Sequence, residues 1–255
     1  MYSSSFFEES ANRKIIEAGG IYKIAEYQRD LSVAPQNAVT SYFSAQMNVR
    51  KRQLIANLTP GNGCIVQAGA MQWLAGDVEV ATNIKGVGDF LGKAVASTVT
   101  KETAIKPRYV TKSSGVLVLE PTYKHLLIED LSNWPEGMVI EDGMFLACDD
   151  TVNIKTVARN TFSSAVMGNE GLFNSMLIGK GHAVLESFIP REELVLVNLE
   201  NSQLKIDGSF AIAWSQSLKF TVERTTKTLI GSAASKEGLV NVYRGTGKVL
   251  MAPVA

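Results

Sequence analysis

A short apolar run closed by a glycine and a large apolar residue occurs three times along this chain. The copies are Cys64–Ile65–Val66–Gln67–Ala68–Gly69–Ala70–Met71, Met138–Val139–Ile140–Glu141–Asp142–Gly143–Met144–Phe145 and Gln203–Leu204–Lys205–Ile206–Asp207–Gly208–Ser209–Phe210. Further along each copy, Gly115, Gly181 and Gly247 precede an apolar pair and lie 66 residues apart both times. Self-similarity at such a period means one supersecondary unit used three times. A unit of about 65 residues buries too little surface to be stable alone, so the copies are expected to share a core. The spacing predicts β repeats over residues 45–124, 125–191 and 192–255, behind an N-terminal preface of residues 1–44 packed on the first.

The third copy shows what the unit is made of. Leu204, Ile206, Phe210, Ile212, Trp214, Leu218, Phe220 and Val222 alternate with polar residues such as Lys205, Asp207, Lys219 and Glu223. Period-two alternation puts one face in a core and one in water, as in antiparallel sheet. Turn signals punctuate the chain at Thr59–Pro60–Gly61–Asn62–Gly63, Asn133–Trp134–Pro135–Glu136–Gly137, Gly168–Asn169–Glu170–Gly171 and Arg244–Gly245–Thr246–Gly247. An all-β sandwich or barrel is expected. In the preface, Ser10 to Glu17 is expected to form a short helix ended by Ala18–Gly19–Gly20.

The copies also differ. Val78 and Val80, Val152 and Ile154, and Leu218 and Phe220 correspond, with one extra residue in the third copy for a bulge to absorb. Glu170–Gly171–Leu172–Phe173–Asn174 matches Glu237–Gly238–Leu239–Val240–Asn241, whereas the first copy carries extra residues, mostly in Gly86–Thr103. An insertion in one copy maps to an exposed loop, and Gly86–Thr103 is where specificity is expected.

Charge narrows the function classes. The chain has 25 basic and 25 acidic residues, so it lacks the global positive excess that a general nucleic-acid binder uses to displace counterions. The distribution is uneven: six basic residues face two acidic ones over 85–112, and eight acidic face one basic over 117–150. Two solvated faces explain this; complementary head-to-tail contact between subunits, carried by residues such as Lys101 and Lys106, is the sharper reading. Cys64 and Cys148 sit in apolar runs and read as core residues in a reducing compartment. Met1–Asn12 has no basic-then-apolar signal pattern and no apolar run is long enough to span a membrane, so a cytoplasmic location is expected.

Assembled chemistry is scarce. Gly86–Val87–Gly88–Asp89–Phe90–Leu91–Gly92 has one residue too many for a dinucleotide fingerprint and opens no clear βαβ unit. The two histidines, His125 and His182, stand 57 residues apart with no paired ligand spacing. Neither has a G-x-S-x-G partner for a nucleophilic triad. Trp73 and Trp214 lie in corresponding strands, suiting either an aromatic platform or core packing. Arg50–Lys51–Arg52 suits either contact with phosphate or an edge-strand guard against aggregation. No catalytic, cofactor-binding or metal-ligating residue is assigned, and no cofactor is expected.

The runs Lys51–Arg52–Gln53–Leu54–Ile55–Ala56, Gln67–Ala68–Gly69–Ala70–Met71–Gln72–Trp73, Asp142–Gly143–Met144–Phe145–Leu146–Ala147 and Asp207–Gly208–Ser209–Phe210–Ala211–Ile212–Ala213–Trp214, with the ending Glu237–Gly238–Leu239–Val240–Asn241–Val242–Tyr243–Arg244–Gly245–Thr246–Gly247, carry a resemblance. Over about residues 45–255 the chain resembles the altered-inheritance-of-mitochondria family, similar in fold to the tryptophan RNA-binding attenuator protein (TRAP). The resemblance implies a short double-stranded β-helix (a TRAP-like, jelly-roll-type sandwich) repeated three times, with chains forming homotrimers that close a nine-unit ring. It implies no established catalytic residues. The attenuator protein's tryptophan pocket and basic RNA-reading edge find no matching motif here.

The expected function is therefore that of a non-enzymatic oligomeric scaffold, structural or interaction-mediating, with peripheral membrane association left open. The alternative is a small-ligand or RNA-binding module using clefts between repeats. A carboxylate-based enzyme ranks last.

Overall fold

Alternating burial becomes strand wherever the chain is punctuated by turns. The computed structural model describes residues 10–81, 106–158, 173–224 and 239–253. The insertion at Gly86–Thr103, Lys101 and the Glu170–Gly171 and Glu237–Gly238 motifs lie outside those residues. What is described is mostly antiparallel β-strand with one short helix. The first stretch contains β1 (Arg13–Gly19), β2 (Tyr22–Tyr27), α1 (Ala38–Gln46), β3 (Arg52–Leu58), β4 (Cys64–Val66), β5 (Met71–Ala81) and β6 (Arg108–Leu119). There follow β7 (His125–Asp130), β8 (Met138–Ile140), β9 (Phe145–Asp149), β10 (Asn153–Ala158), β11 (Phe173–Ile178) and β12 (His182–Ser187). The last stretch has β13 (Val195–Asp207), β14 (Ala211–Ser215), β15 (Lys219–Arg224) and β16 (Leu239–Met251).

These strands form two sheets. One runs β1-β2-β3-β6-β4-β9-β12-β7 with β5 also on β6; the other runs β10-β11-β8-β14-β16-β13 with β15 also on β16. Three larger apolar clusters and a smaller fourth (Ala25, Ile55, Val116 and Val118) fill the interior. The first includes Leu54, Leu58, Val66 and Leu117; the second Leu127, Met138, Ile140, Phe145 and Leu185; the third Ile206, Trp214, Leu218, Tyr243 and Val249. Neighbouring clusters share strands, because alternate side chains of one strand face opposite ways. Met138 and Ile140 of β8 enter the second cluster while Val139 between them enters the third. Burial of this kind stabilises by roughly 25 cal/mol per Å² of apolar surface, so units sharing strands in this way stabilise one another.

The glycines at constant spacing have a steric reason. A Cβ on Gly115 would lie 2.3 Å from Val78 Cγ2, one on Gly181 2.5 Å from Asp149 Oδ2, and one on Gly247 2.8 Å from Ser215 Cβ. Each supplies the room in which a neighbouring strand crosses closely.

Three expectations are corrected. Ser10–Glu17 is not helical: β1 and β2 form a hairpin with Gly19 opposite Tyr22, and β2 pairs with β3 from Tyr22↔Ala56 to Glu26↔Arg52. The two-residue turn uses the positive φ of Gly20 (54°), and β-branched Ile15 and Ile16 suit a sheet that offers an edge to extend. The helix lies later, at Ala38–Gln46, after a single 3₁₀ turn begun by Pro35. Secondly, the third copy has no extra residue for a bulge to absorb: the turn between its strands runs Ile206–Phe210 as the others run Val66–Ala70 and Ile140–Met144, and Gly208 sits one position earlier in it. Ala70, Met144 and Phe210 each accept a bond from a returning strand (Glu120, Glu186 and Ala252 backbone N–H), which puts Phe210 two residues after its glycine rather than one. Thirdly, Arg50–Lys51–Arg52 guards no edge, since β2 covers β3. Arg52 Nη2 lies 2.8 Å from Glu26 Oε2 and Lys51 Nζ 3.4 Å from Asp30 Oδ1, so the hairpin segment neutralises the triplet.

Candidate functional site

The units of the chain are joined through sheet edges, and the two internal junctions follow one rule. At the first, β4 pairs with β9 as Cys64↔Asp149, Ile65↔Cys148 and Val66↔Ala147. At the second, β8 pairs with β14 as Met138↔Ser215, Val139↔Trp214 and Ile140↔Ala213. Flanking bonds match: Gln67 N–H donates to Leu146 O and Glu141 N–H to Ile212 O; Asp150 N–H donates to Gly63 O and Gln216 N–H to Gly137 O. Both accepting carbonyls on the receiving strand belong to bulged residues, Leu146 and Ile212, and β5 has the corresponding irregularity at Gln72. A bulge re-aims backbone groups, here toward the neighbouring unit.

Pairing onto the returning strands fixes which residues correspond, since Leu204 lies opposite Tyr243 as Met138 lies opposite Leu177 and Cys64 opposite Tyr109. Leu204, Lys205 and Ile206 of β13 stand where β4 has Cys64, Ile65 and Val66; Leu74, Ala75 and Gly76 of β5 stand where β9 leads into Cys148, Asp149 and Asp150. Among the described residues, β13 pairs only with β16 and β5 only with β6. Among the described residues, two sheet edges of complementary kind are therefore open. Open edges present rows of N–H and C=O groups and are natural templates for a further strand.

The residues singled out in the sequence are dispersed. Trp214 is 3% exposed and packs against Phe220 and Tyr243 at centroid distances of 5.8 and 5.3 Å. Trp73 corresponds to Ala213 rather than Trp214, so the two indoles face opposite ways; Trp73 packs on Ala25, Ile55, Val116 and Val118. Cys64 and Cys148 are buried free thiols whose pKa values burial drives upward. His125 is pushed down, first by burial and then by Arg52. Among the described residues, no group of three or more His, Cys, Asp or Glu side chains is placed to hold a metal. Basic and acidic stretches meet within the chain, where Arg108 Nη2 donates to Asp150 Oδ2 at 2.7 Å. Lys106 Nζ donates to Gln67 Oε1 at 3.3 Å and lies 4.7 Å from the Phe145 ring centroid.

Three arrangements carried no sequence signal. At the first junction His182 N–H donates to Asp149 Oδ2 at 2.8 Å, and its Nδ1 lies 3.6 Å from the same oxygen. Tyr22 Oη and Asp149 Oδ1 are buried there without a bonded partner among the described residues. The second joins Glu129, 8% exposed, to Trp134 Nε1 at 3.2 Å and Arg191 Nη1 at 2.8 Å. Spacings of 33 and 62 residues bring these partners together, beyond the reach of any local motif. The third is a cavity of about 450 Å³ between the 27–33 segment and α1, lined by Tyr27, Arg29, Leu31, Val33, Tyr42 and Arg50 among others.

This geometry can be set beside known proteins. The family model described as "Mitochondrial biogenesis AIM24" matches residues 43–254. The chain belongs to the AIM24 family. A relative, an uncharacterised protein of Streptococcus pyogenes serotype M6, is 26% identical over 197 residues, which is 76% of this chain and 77% of that protein. A crystal structure of a Streptococcus pyogenes protein superposes with a TM-score of 0.60 at 24% identity, covering 80% of this chain and 88% of its own; it supports the fold alone. The hairpin β1–β2 and the first half of α1 precede the matched AIM24 region.

Proposed function

We propose that this AIM24 protein is a structural or interaction scaffold rather than an enzyme, and that it works as an oligomer, a homotrimer closing a nine-unit ring. On this reading residues 45–124, 125–191 and 192–255 are three tandem copies of a TRAP-like, short double-stranded β-helix. One observation carries it: unit joins unit through the same strand register twice, Ile65↔Cys148 and Val139↔Trp214, each strand serving two apolar clusters. A chain built by adding units edge to edge is suited to extend the same surface to further copies. Multi-angle light scattering at micromolar concentration is expected to give three times the chain mass of 27.6 kDa; a monomer would overturn the reading.

The peripheral-membrane setting draws on α1, a helix without charged residues, where Val39, Tyr42 and Phe43 are exposed together with Met47 just past its end. An apolar face of that kind can lie in a lipid interface. Co-sedimentation with anionic vesicles, lost on Phe43→Glu and Met47→Glu, is the expected result; equal sedimentation of wild type and variant refutes the role of α1. A second reading, small-ligand binding, is favoured by the cavity beside α1, which lies against the N-terminal segment and not between units. Native mass spectrometry of the purified protein, with a bound small molecule lost on Tyr42→Ala, tests that reading.

A further inference from the structure

We propose that the cavity beside α1 is a binding site for an amphipathic anion, a molecule with a carboxylate or phosphate head on an apolar chain. The proposal rests on the small-ligand reading above and names the chemical class of the ligand. The cavity has a volume of about 450 Å³, within the range of small-molecule sites, roughly 300–1,000 Å³. Its walls are the 27–33 segment, which continues from β2, and the side of α1 that carries Ala38, Ser41, Tyr42 and Ala45. Those positions follow at i, i+3, i+4 and i+7, which is one face of a helix. From Ala38 to Ala45 the helix rises about 10 Å, so the space is a slot that runs along it.

One part of the slot is apolar and lacks cover. Leu31, Val33, Tyr42 and Val49 line it, yet they are 72, 41, 61 and 38% exposed. Of the fourteen large apolar side chains left exposed among the described residues, seven fall between Leu31 and Val49. No residue from 31 to 49 is charged. Single exposed apolar residues are ordinary, whereas a concentration of them around a concavity marks a contact site. The hydrophobic effect is non-directional, so aliphatic side chains on both walls accept a flexible chain.

The other part is cationic. Arg50 is held by neutral acceptors: its Nε and Nη2 donate to Asn48 Oδ1 at 3.0 and 2.7 Å, and its Nη1 donates to Gln28 O and, at 3.2 Å, to Gln28 Oε1. A guanidinium has five N–H donors, so one Nη2 hydrogen remains for a ligand. The carboxylates nearby are committed elsewhere. Glu26 Oε2 lies 2.8 Å from Arg52 Nη2 and its Oε1 3.9 Å from Arg50 Nε, while Asp30 meets Lys51 Nζ at 3.4 Å and accepts from Tyr123 Oη. Arg29 follows Gln28 directly and so stands at the same end as Arg50; its hydrogen bonds among the described residues, with Asn12, are made by its backbone. Arg29, Arg50, Lys51 and Arg52 against Glu26 and Asp30 leave two positive charges beside the cavity. A fixed guanidinium next to an exposed one suits the paired oxygens of a carboxylate or phosphate.

Titration calorimetry of the full chain, freed of co-purified lipid, tests this with palmitate and with hexadecanol as its uncharged counterpart. One palmitate per chain is expected, with hexadecanol about tenfold weaker. Arg29→Ala, at an exposed position, should weaken palmitate about tenfold, the worth of one hydrogen bond to a charged group, and leave hexadecanol unchanged. Ala45→Trp fills the slot from the helix side and should abolish binding with the circular dichroism spectrum unchanged, whereas Phe43→Glu, outside the lining, should bind as the wild type does. If Ala45→Trp does not fold, Arg29→Ala and the hexadecanol comparison decide. Phosphatidylglycerol vesicles offer the same chemistry from a second source. Palmitate binding assigns the site to free fatty acids; vesicle co-sedimentation that Arg29→Ala and Ala45→Trp weaken, without palmitate binding, assigns it to a membrane lipid, and either result upholds the class. Palmitate binding untouched by Arg29→Ala, hexadecanol as tight as palmitate, or a co-purified molecule lost on Tyr42→Ala that palmitate does not displace would overturn the class and leave the small-ligand reading standing. A chain that carries no molecule when purified and binds neither palmitate nor vesicles would overturn both.

Discussion

Replacing Gly137 by alanine tests the close packing at the start of β8, between β11 and the junction with β14. The residue holds φ at +117°, and an added Cβ would meet Leu177 O at 3.1 Å and Ile178 Cγ1 at 3.2 Å besides the flexible Gln216 amide at 3.0 Å. Two costs add. Placing an L side chain at positive φ costs about 1–2 kcal/mol, and pushing back a strand carbonyl and a packed methylene adds about 1–3 kcal/mol. Gly61 separates them, because it holds φ at +80° with nothing within 4 Å of its Cβ position. Gly61→Ala should therefore lose only the first cost, leaving Gly137→Ala less stable than Gly61→Ala by about 1–3 kcal/mol. Urea denaturation followed by tryptophan fluorescence measures this, with an unchanged m-value showing that the denatured state is unaffected. In a thermal scan the gap should be about 2–4 °C per kcal/mol for a chain of this size. Equal stability of the two variants would refute the claim that β11 closes sterically on Gly137.

Other outcomes follow from the same structure. Trp214→Ala removes a buried ring stacked on Phe220 and edge-on to Tyr243 and should cost about 3–5 kcal/mol in urea, with loss of near-ultraviolet circular dichroism. Cys64 and Cys148 should not react with a thiol reagent in native buffer and should both react in denaturant, since burial raises both thiols; native labelling would contradict their placement. Hydrogen bonds from Arg244 hold the Glu223 carboxyl down to about 2. Its small, solvent-screened contribution is present above the ordinary pKa near 4.5 and fades as pH falls from there toward 2. A carboxyl NMR titration of Glu223 should move upward in Arg244→Ala. Arg191→Ala leaves the buried Glu129 carboxylate with Trp134 Nε1 as its remaining side-chain partner among the described residues and should cost about 1–3 kcal/mol in urea, part of which Glu129→Gln in the same background should restore.

The repeat could be read from residue order because it is written in local chemistry. Alternation at Leu204–Val222 dictates strands, and glycines at turns and crossings are fixed by backbone sterics that act within a few residues. The same locality explains the mistake at Ser10–Glu17. Ile15 and Ile16 fit either state, and what decided for a strand was the edge of β3, far along the chain, on which β2 lies. Arg50–Lys51–Arg52 was ambiguous for the same reason, since its partners Glu26 and Asp30 arrive with that hairpin. The cluster of Tyr22, Asp149 and His182 had no motif to announce it.

By itself, the sequence determined that three similar stretches of alternating strand are separated by glycine turns, with balanced charge and no recognisable catalytic set. Tertiary structure decided how those stretches meet. Register between strands depends on hydrogen bonds between residues 70 or more positions apart, and a one-residue slip turns every side chain to the other face. Only with those bonds in place do Trp73 and Trp214 prove to face opposite ways.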